Sequence, residues 1–251
     1  MTPTQNEPRF ARRQWLQWTG VGAAALGVAA LWTPSARSAA ESAVEIPPPG
    51  RDVAPDTRRV HRAILAGGCF WGVQGVYQHV RGVQRAVSGY SGGTAADAYY
   101  EAVSGGRTRH AESVEVTYDP NVVSYGTLLQ IFFSVVHDPT QLDRQGPDIG
   151  PQYRSEIFAH GPQQFDVAQA YIAQLDAAKI YPQPIVTRLA REPSFYPAER
   201  HHQDYMIENP NNPYIVTHDL PKVAALQRLF ADRYRAEPVL VKRPSAVPAA
   251  S

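Results

Sequence analysis

The sequence predicts an α+β fold: one two-layer domain with a mixed sheet and packed helices. Three observations lead there. Short apolar runs stopped by glycine pairs, such as HRAILAGG, read as strands. Other stretches carry apolar residues at helical spacing, as Phe70, Val73, Val76, Tyr77 and Val80 do. The two kinds are mixed without a regular strand–helix–strand repeat, which favours α+β over a doubly wound sheet.

Residues 61–66 form the first strand, ended by Gly67-Gly68. A helix over 69–80 follows, weakened by Gly72 and Gly75, which also permit close packing. Residues 85–90 read as a second strand, ended by Ser91-Gly92-Gly93. Over 113–118 the pattern alternates, with Val114, Val116 and Tyr118 on one face and Ser113, Glu115 and Thr117 on the other. Ser124 caps a helix that holds Leu128, Leu129, Ile131, Phe132 and Val135 and stops at His137-Asp138-Pro139. Residues 154–159 are a further strand, and Pro162 suits the first turn of a helix running to about residue 180. Residues 184–190 are strand-like, 198–207 helical, and Asp219 opens a last helix through 234.

The chain has 251 residues, a formal net charge of +1, 43% hydrophobic and 19% charged residues. That balance carries no electrostatic footprint for nucleic acid or an anionic membrane surface. Residues 1–40 read as an export signal. Arg12-Arg13 precedes an apolar run over about 21–31, then a small-residue stretch ending SARSAA, with either Ser38 and Ala40 or Ala36 and Ser38 suited to a cleavage site. Arg-Arg-Gln-Trp-Leu is similar to a twin-arginine motif, so the mature chain is expected in the periplasm, without stable membrane insertion. Residues 41–57, with IPPPG inside, read as a linker, 58–236 as the folded domain and 237–251 as a disordered tail.

Cys69 is the only cysteine, which excludes an internal disulfide and a multi-cysteine metal site. An inert core residue and a reactive thiol both remain. The thiol stands where a strand ends and a helix begins. Unpaired helix N–H groups and the helix dipole favour an anion there, which lowers a thiol pKa. A small residue fitted to a tight glycine turn is the plainer reading.

Gly68-Cys69-Phe70-Trp71-Gly72 resembles the active-site motif of the methionine sulfoxide reductase A family, the peptide-methionine (S)-S-oxide reductases. The resemblance continues in order through GYSGG (89–93), YYEAVSGG (99–106), HAESVEVTYDP (110–120), HDPTQLDRQGPDIGPQYRS (137–155) and FYPAERHHQDY (195–205). It implies that Cys69 attacks the sulfoxide sulfur and becomes a sulfenic acid as methionine leaves. It implies that Glu112 is the acid protonating the departing oxygen, and that Tyr99 and Tyr153 hydrogen-bond that oxygen. Asp148 would act through water, and Phe70 and Trp71 would form the wall that accepts the terminal methyl group. Read without the resemblance, Glu112 is a strand-start residue, the tyrosines are packing, Asp148 shapes a turn, and Phe70 with Trp71 begins a core helix face. His110, His137 and His202 are read as structural, and no metal or cofactor is implied.

Many family members carry further cysteines that resolve the sulfenic acid. One such position falls where this chain has Val103, and others lie in a C-terminal tail that here has none. Ile149 and His201 are milder departures, at positions where histidine and tyrosine are frequent. The expected partners are therefore oxidised proteins and an external dithiol reductant of thioredoxin-like kind, with the chain acting as a monomer. The competing reading is a cysteine hydrolase that pairs Cys69 with a histidine base, His110 or His202.

Overall fold

The computed structural model describes residues 43–54, 60–191 and 194–242. The expected export signal over 1–40 lies outside them, as do the last residues of the expected linker and tail. A six-stranded mixed sheet forms the centre, in the order β7-β6-β1-β3-β2-β8. Its strands are β1 (His61–Gly67), β2 (Val83–Ser91), β3 (Ala111–Tyr118), β6 (Ser155–Ala159), β7 (Arg188–Arg191) and β8 (Phe195–Pro197). All neighbours are antiparallel except β6 and β7. A separate two-stranded ribbon joins β4 (Arg144–Gln145) to β5 (Asp148–Ile149).

Strand alternation divides the core. Ala63 and Leu65 of β1, with Val114, Val116 and Tyr118 of β3, point into the large cluster. Ile64 and Ala66 point the other way, into a smaller cluster with Ala111, Phe158, Ala190 and Phe195. Both faces of β1 are thus apolar, which is why it reads as an unbroken apolar run. The large cluster is covered by α1 (Phe70–Gln78), α3 (Tyr125–Ile131), α4 (Gly161–Ala177) and α6 (Leu220–Leu229). Ser124 caps α3 as expected, its hydroxyl accepting from Thr127 N at 3.1 Å.

Three departures have physical causes. The expected helix over 198–207, which follows strand β8, is broken into a 3-10 turn at Arg200–His202 and the short α5 (Tyr205–Glu208). Gln203 is responsible. Its buried amide accepts from Ser88 N and donates to Ser88 O and Ala198 O, standing in for a strand partner of β2. The next residue, Asp204, takes the left-handed conformation with φ 59°. The last helix follows Asp219 as expected but stops at Leu229 rather than 234, where Phe230 leaves the helical region with φ −131° and ψ 48°, and a π turn at Ile215–Asp219 precedes it. α2 (Tyr100–Ser104) and the β4–β5 ribbon are too short to leave a periodic trace.

Parts of the segments read as linker and disordered tail are bonded to the domain. The carbonyls of Ile46, Pro47 and Pro48 accept from Gln130 Nε2, Tyr171 OH and Gln174 Nε2 at 2.8, 2.7 and 2.9 Å. Prolines supply carbonyls but no N–H, so helix side chains provide the donors. Gly126 N in the first turn of α3 donates to Asp52 Oδ1. At the other end, Arg235 N and Val239 N donate to His79 O and Gln78 O, closing the C-terminus of α1. Val241 N and Lys242 N donate to the two carboxylate oxygens of Asp204.

Ile46 is 5% exposed and anchors the N-terminal strap in the large cluster. Ile46→Ala is therefore expected to lower folding stability by about 2 kcal/mol. Urea denaturation measures it, and a loss of only a few tenths would mean that the strap does not belong to the folding unit.

Candidate active site

Gly68 turns the chain from β1 into α1 with φ +95°, a backbone few other residues adopt, and a Cβ there would sit 2.7 Å from Gln145. Cys69 is the N-cap of α1 and is 9% exposed, so the thiol is presented at the helix N-terminus but largely dehydrated. Glu112 lies on β3 in the same alternating row as Val114 and Val116, on the face that α1 covers. Its side chain meets the first turn of the helix, and Phe70 N donates to Glu112 Oε2 at 3.0 Å.

Glu112 is 3% exposed. Burial first, then the charges of Asp148 and Asp219, push its pKa from the ordinary 4.5 up to about 8 against the Phe70 N–H, which lowers it. This is an acid that keeps its proton near neutral pH. The thiol moves against the sequence-based expectation. Burial, then the charges of Glu112 and Asp219, push the Cys69 pKa well above its ordinary value, and the Trp71 backbone N–H pulls only weakly against them. Dehydration and facing carboxylates outweigh the helix dipole, so the free protein holds a thiol here rather than a thiolate.

The tyrosine assignment needs one correction. Tyr99 caps the start of α2 and is 48% exposed, with its side chain toward solvent. Tyr100, one residue on, turns inward. Its N–H donates to Glu199 Oε1, its ring lies 4.5 Å from the His202 ring, and its hydroxyl feels the charges of Glu112 and Cys69. Tyr153 is half-buried on the 3-10 turn Pro151–Tyr153, its pKa pushed up by burial and by Glu112 and Asp148. Both hydroxyls stay protonated, as donors must. Arg154, next along, ties this turn to the approach of β3. Its guanidinium donates to Pro151 O, Arg109 O and His110 O and pairs with Glu156 at 2.6 Å.

Asp148 sits on β5 and accepts a 2.5 Å hydrogen bond from the Tyr214 hydroxyl. Trp71 is half-buried, stacks on Tyr205 at 3.8 Å and 12°, and meets Tyr214 edge-on. The Trp71 Nε1–H donates to His202 Nδ1. Phe70, expected beside Trp71 as substrate wall, is 1% exposed and packs on Tyr90 and His202. The open aromatic surface is thus built from Trp71, Tyr205 and Tyr214. Sequence reasoning named the first of these and gave the other two no role: Tyr205 ends the FYPAERHHQDY stretch, and Tyr214 lies beyond it in no marked motif.

The histidines are placed as structural. The His110 ring lies between Gly93 N and Thr94 O, and the His137 ring between Phe132 O and Ser155 Oγ. Burial lowers the pKa of His202, and that of His137 to about 4, which keeps both neutral. His202 accepts from Trp71 through Nδ1, and its Nε2 is buried without a hydrogen-bond partner among the described residues. Among the described residues no cluster of His, Cys, Asp and Glu is arranged to hold a metal ion.

The raised pKa of Glu112 has a measurable consequence. Between 4.5 and about 8 the folded chain keeps a proton that the unfolded chain has released. Stability from this group is therefore complete below pH 4.5 and lost as pH rises through about 8. Glu112→Gln should gain stability relative to the parent across that window. Thermal melts between pH 4 and 9 measure the gap, and a gap that does not change with pH would contradict the buried-acid assignment.

Residues 61–234 match the family model described as peptide methionine sulfoxide reductase. The chain is 63% identical over 179 residues to peptide methionine sulfoxide reductase MsrA 2 of Mesorhizobium japonicum, covering 71% of this chain and 92% of that one. It is 51% identical over 195 residues to MsrA 2 of Synechocystis sp., covering 76% and 91%. Among solved structures it resembles Mxr1 from Saccharomyces cerevisiae in reduced form, with TM-score 0.59, 32% identity, and 66% and 94% of the two chains covered. It also resembles methionine sulfoxide reductase A of Corynebacterium diphtheriae, with TM-score 0.53, 31% identity, and 68% and 90% covered. With its fold, its buried thiol–carboxyl pair and these relatives, the chain belongs to the peptide methionine sulfoxide reductase family and is an oxidoreductase.

Proposed function

We propose that this chain reduces the S epimer of methionine sulfoxide, in proteins and as the free amino acid, through a sulfenic acid on Cys69. The observation that carries this reading is the pairing of the buried Cys69 thiol with a protonated Glu112 at one helix N-terminus. The sulfoxide oxygen accepts hydrogen bonds from Tyr100 and Tyr153 and takes the proton of Glu112. Sulfur is thereby made electrophilic, and Cys69 Sγ attacks it. The thiol proton restores the Glu112 carboxyl as Sγ bonds to the substrate sulfur; the protonated oxygen then passes from that sulfur to Sγ as the Sγ–S bond breaks, which leaves a sulfenic acid on Cys69 and releases methionine as the thioether. Trp71, with Tyr205 and Tyr214 around it, receives the methyl group. Asp148, held by Tyr214, supports the oxygen site through water.

Cys69 is the chain's only cysteine, so the second half of the cycle needs an external thiol. A dithiol reductant of thioredoxin-like kind attacks the sulfenic sulfur, releases water and forms a mixed disulfide. Its second thiol then frees Cys69. No cofactor enters this cycle. The paired arginines, apolar run and small-residue stretch of residues 1–40 support export to the periplasm by a twin-arginine route.

Separated sulfoxide epimers assayed with a dithiol should show turnover of the S epimer alone. Cys69→Ser should abolish it, and Glu112→Gln should lower kcat by about 10²–10⁴-fold. In the parent, kcat/KM should fall as pH rises through about 8, where Glu112 loses its proton. Equal turnover of the R epimer would overturn the assignment.

For export, N-terminal sequencing of the periplasmic fraction should find a chain that starts near Glu41. An intact N-terminus confined to the cytosol would refute it.

A further inference from the structure

Asp219 is a fully buried carboxyl that the reaction above does not use. It closes the π turn before α6 and is 0% exposed. Lys222, 7% exposed and one turn along, donates to Asp219 Oδ1 at 3.3 Å. The other oxygen, Oδ2, is buried without a hydrogen-bond partner among the described residues. A carboxylate kept in this state is costly, since a buried unpaired acceptor forfeits its hydration. An apolar pair of the same volume is often no less stable.

Its position relates it to the active site. Asp219 and Lys222 lie against Gly72, in the first turn of α1 and close behind Cys69. A Cβ on Gly72 would run into Asp219 Oδ1 and come 3.0 Å from Lys222 Nζ. Cα–Cβ bonds lean toward a helix N-terminus, so the carboxylate overlies the end that carries Cys69 and receives Glu112. That end of a helix attracts negative charge. A carboxylate already in place there repels a second anion, and with water excluded the repulsion is poorly screened.

We propose that Asp219 is a positioning residue whose buried charge holds Cys69 as a thiol and Glu112 as a carboxylic acid until a sulfoxide oxygen takes the Glu112 proton. The proposal rests on the reductase reading above. Its benefit follows from the lone cysteine. A standing thiolate is the form that oxidants attack, and this chain has no second cysteine to trap the product. The groups that face Cys69 and Glu112 come from every neighbouring element. They are Tyr90 of β2, Tyr100 of α2, Asp148 of β5, Tyr153, Tyr214 and Asp219, with Lys222 and His218 acting on Asp219. Asp219 raises both Cys69 and Glu112, in support of the geometry.

The experiment is the pH dependence of Cys69 alkylation by iodoacetamide, without substrate, in the parent, Asp219→Asn and Asp219→Asn/Lys222→Gln. The double variant removes both charges and leaves no unpaired buried ammonium, so it remains informative where the single variant fails to fold. Thermal melts establish that the proteins compared are folded. The alkylation midpoint is expected to move to lower pH, with the rate at pH 7 rising about tenfold for each unit of movement. Inactivation by peroxide should quicken in parallel. Superimposed alkylation profiles in folded parent and double variant would overturn the proposal. Because alkylation needs no turnover, this outcome is separate from the epimer assay, whose failure would overturn the reductase reading itself.

Discussion

The hydrogen bond from Phe70 N to Glu112 Oε2 is the contact on which the active site depends. It joins the first turn of α1 to the central strand β3. Through it, the helix end that presents the thiol also holds the acid. One helix terminus has several unpaired N–H groups. Here the Phe70 N–H serves the carboxyl and the Trp71 N–H serves the sulfur. The relative position of nucleophile and acid is thus set by backbone rather than by two flexible side chains. The Arg154 clamp extends the same logic to Tyr153, since its guanidinium bonds the tyrosine's turn to carbonyls just ahead of β3.

Protonation follows from burial. A solvated thiol at a helix N-terminus would ionise more easily than usual. Cys69 does not, because the same enclosure that excludes water places Glu112, Asp148 and Asp219 around it. Burial raises Glu112, and the charges of Asp148 and Asp219 act in the same direction, so Glu112 keeps its proton. A site in this state is poised for one event, the arrival of an oxygen able to accept a proton. Chemistry and selectivity then share one cause: a ligand without such an oxygen leaves the thiol protonated.

What was legible in the sequence follows the length scale of each feature. β1, α1, β3 and the Ser124 cap depend on residues close in the chain, and their apolar spacing showed them. Cys69 and Glu112 stood in motifs at the ends of such elements. Tyr99 and Tyr100 are adjacent, and which one faces inward is decided by a five-residue helix too short to show a period. Tyr214 and Asp219 reach the site from a π turn whose backbone no simple periodicity marks. The proline-rich strap looked like a linker because its composition is that of one. What orders it are side chains of α3 and α4, many tens of residues away.

The wrapping segments bear on the chemistry through α1. The helix has only nine residues, and isolated helices of that length are not stable in water. It is held from both ends. At the N-terminus Gly68 and Glu112 place the first turn; at the C-terminus Arg235 N and Val239 N close the last carbonyls. Between them, Gln74 donates to Ala86 O and to the Gln203 side chain, and Gln78 donates to Asp204. Asp204 in turn receives Val241 N and Lys242 N, so the final described residues are bonded to a group that grips the catalytic helix. A shift of α1 along its axis would break these bonds together with the Phe70–Glu112 contact. The position of the thiol is therefore a property of the whole wrapped domain, and the backbone on either side of α1 belongs to the apparatus that keeps Cys69 and Glu112 in register.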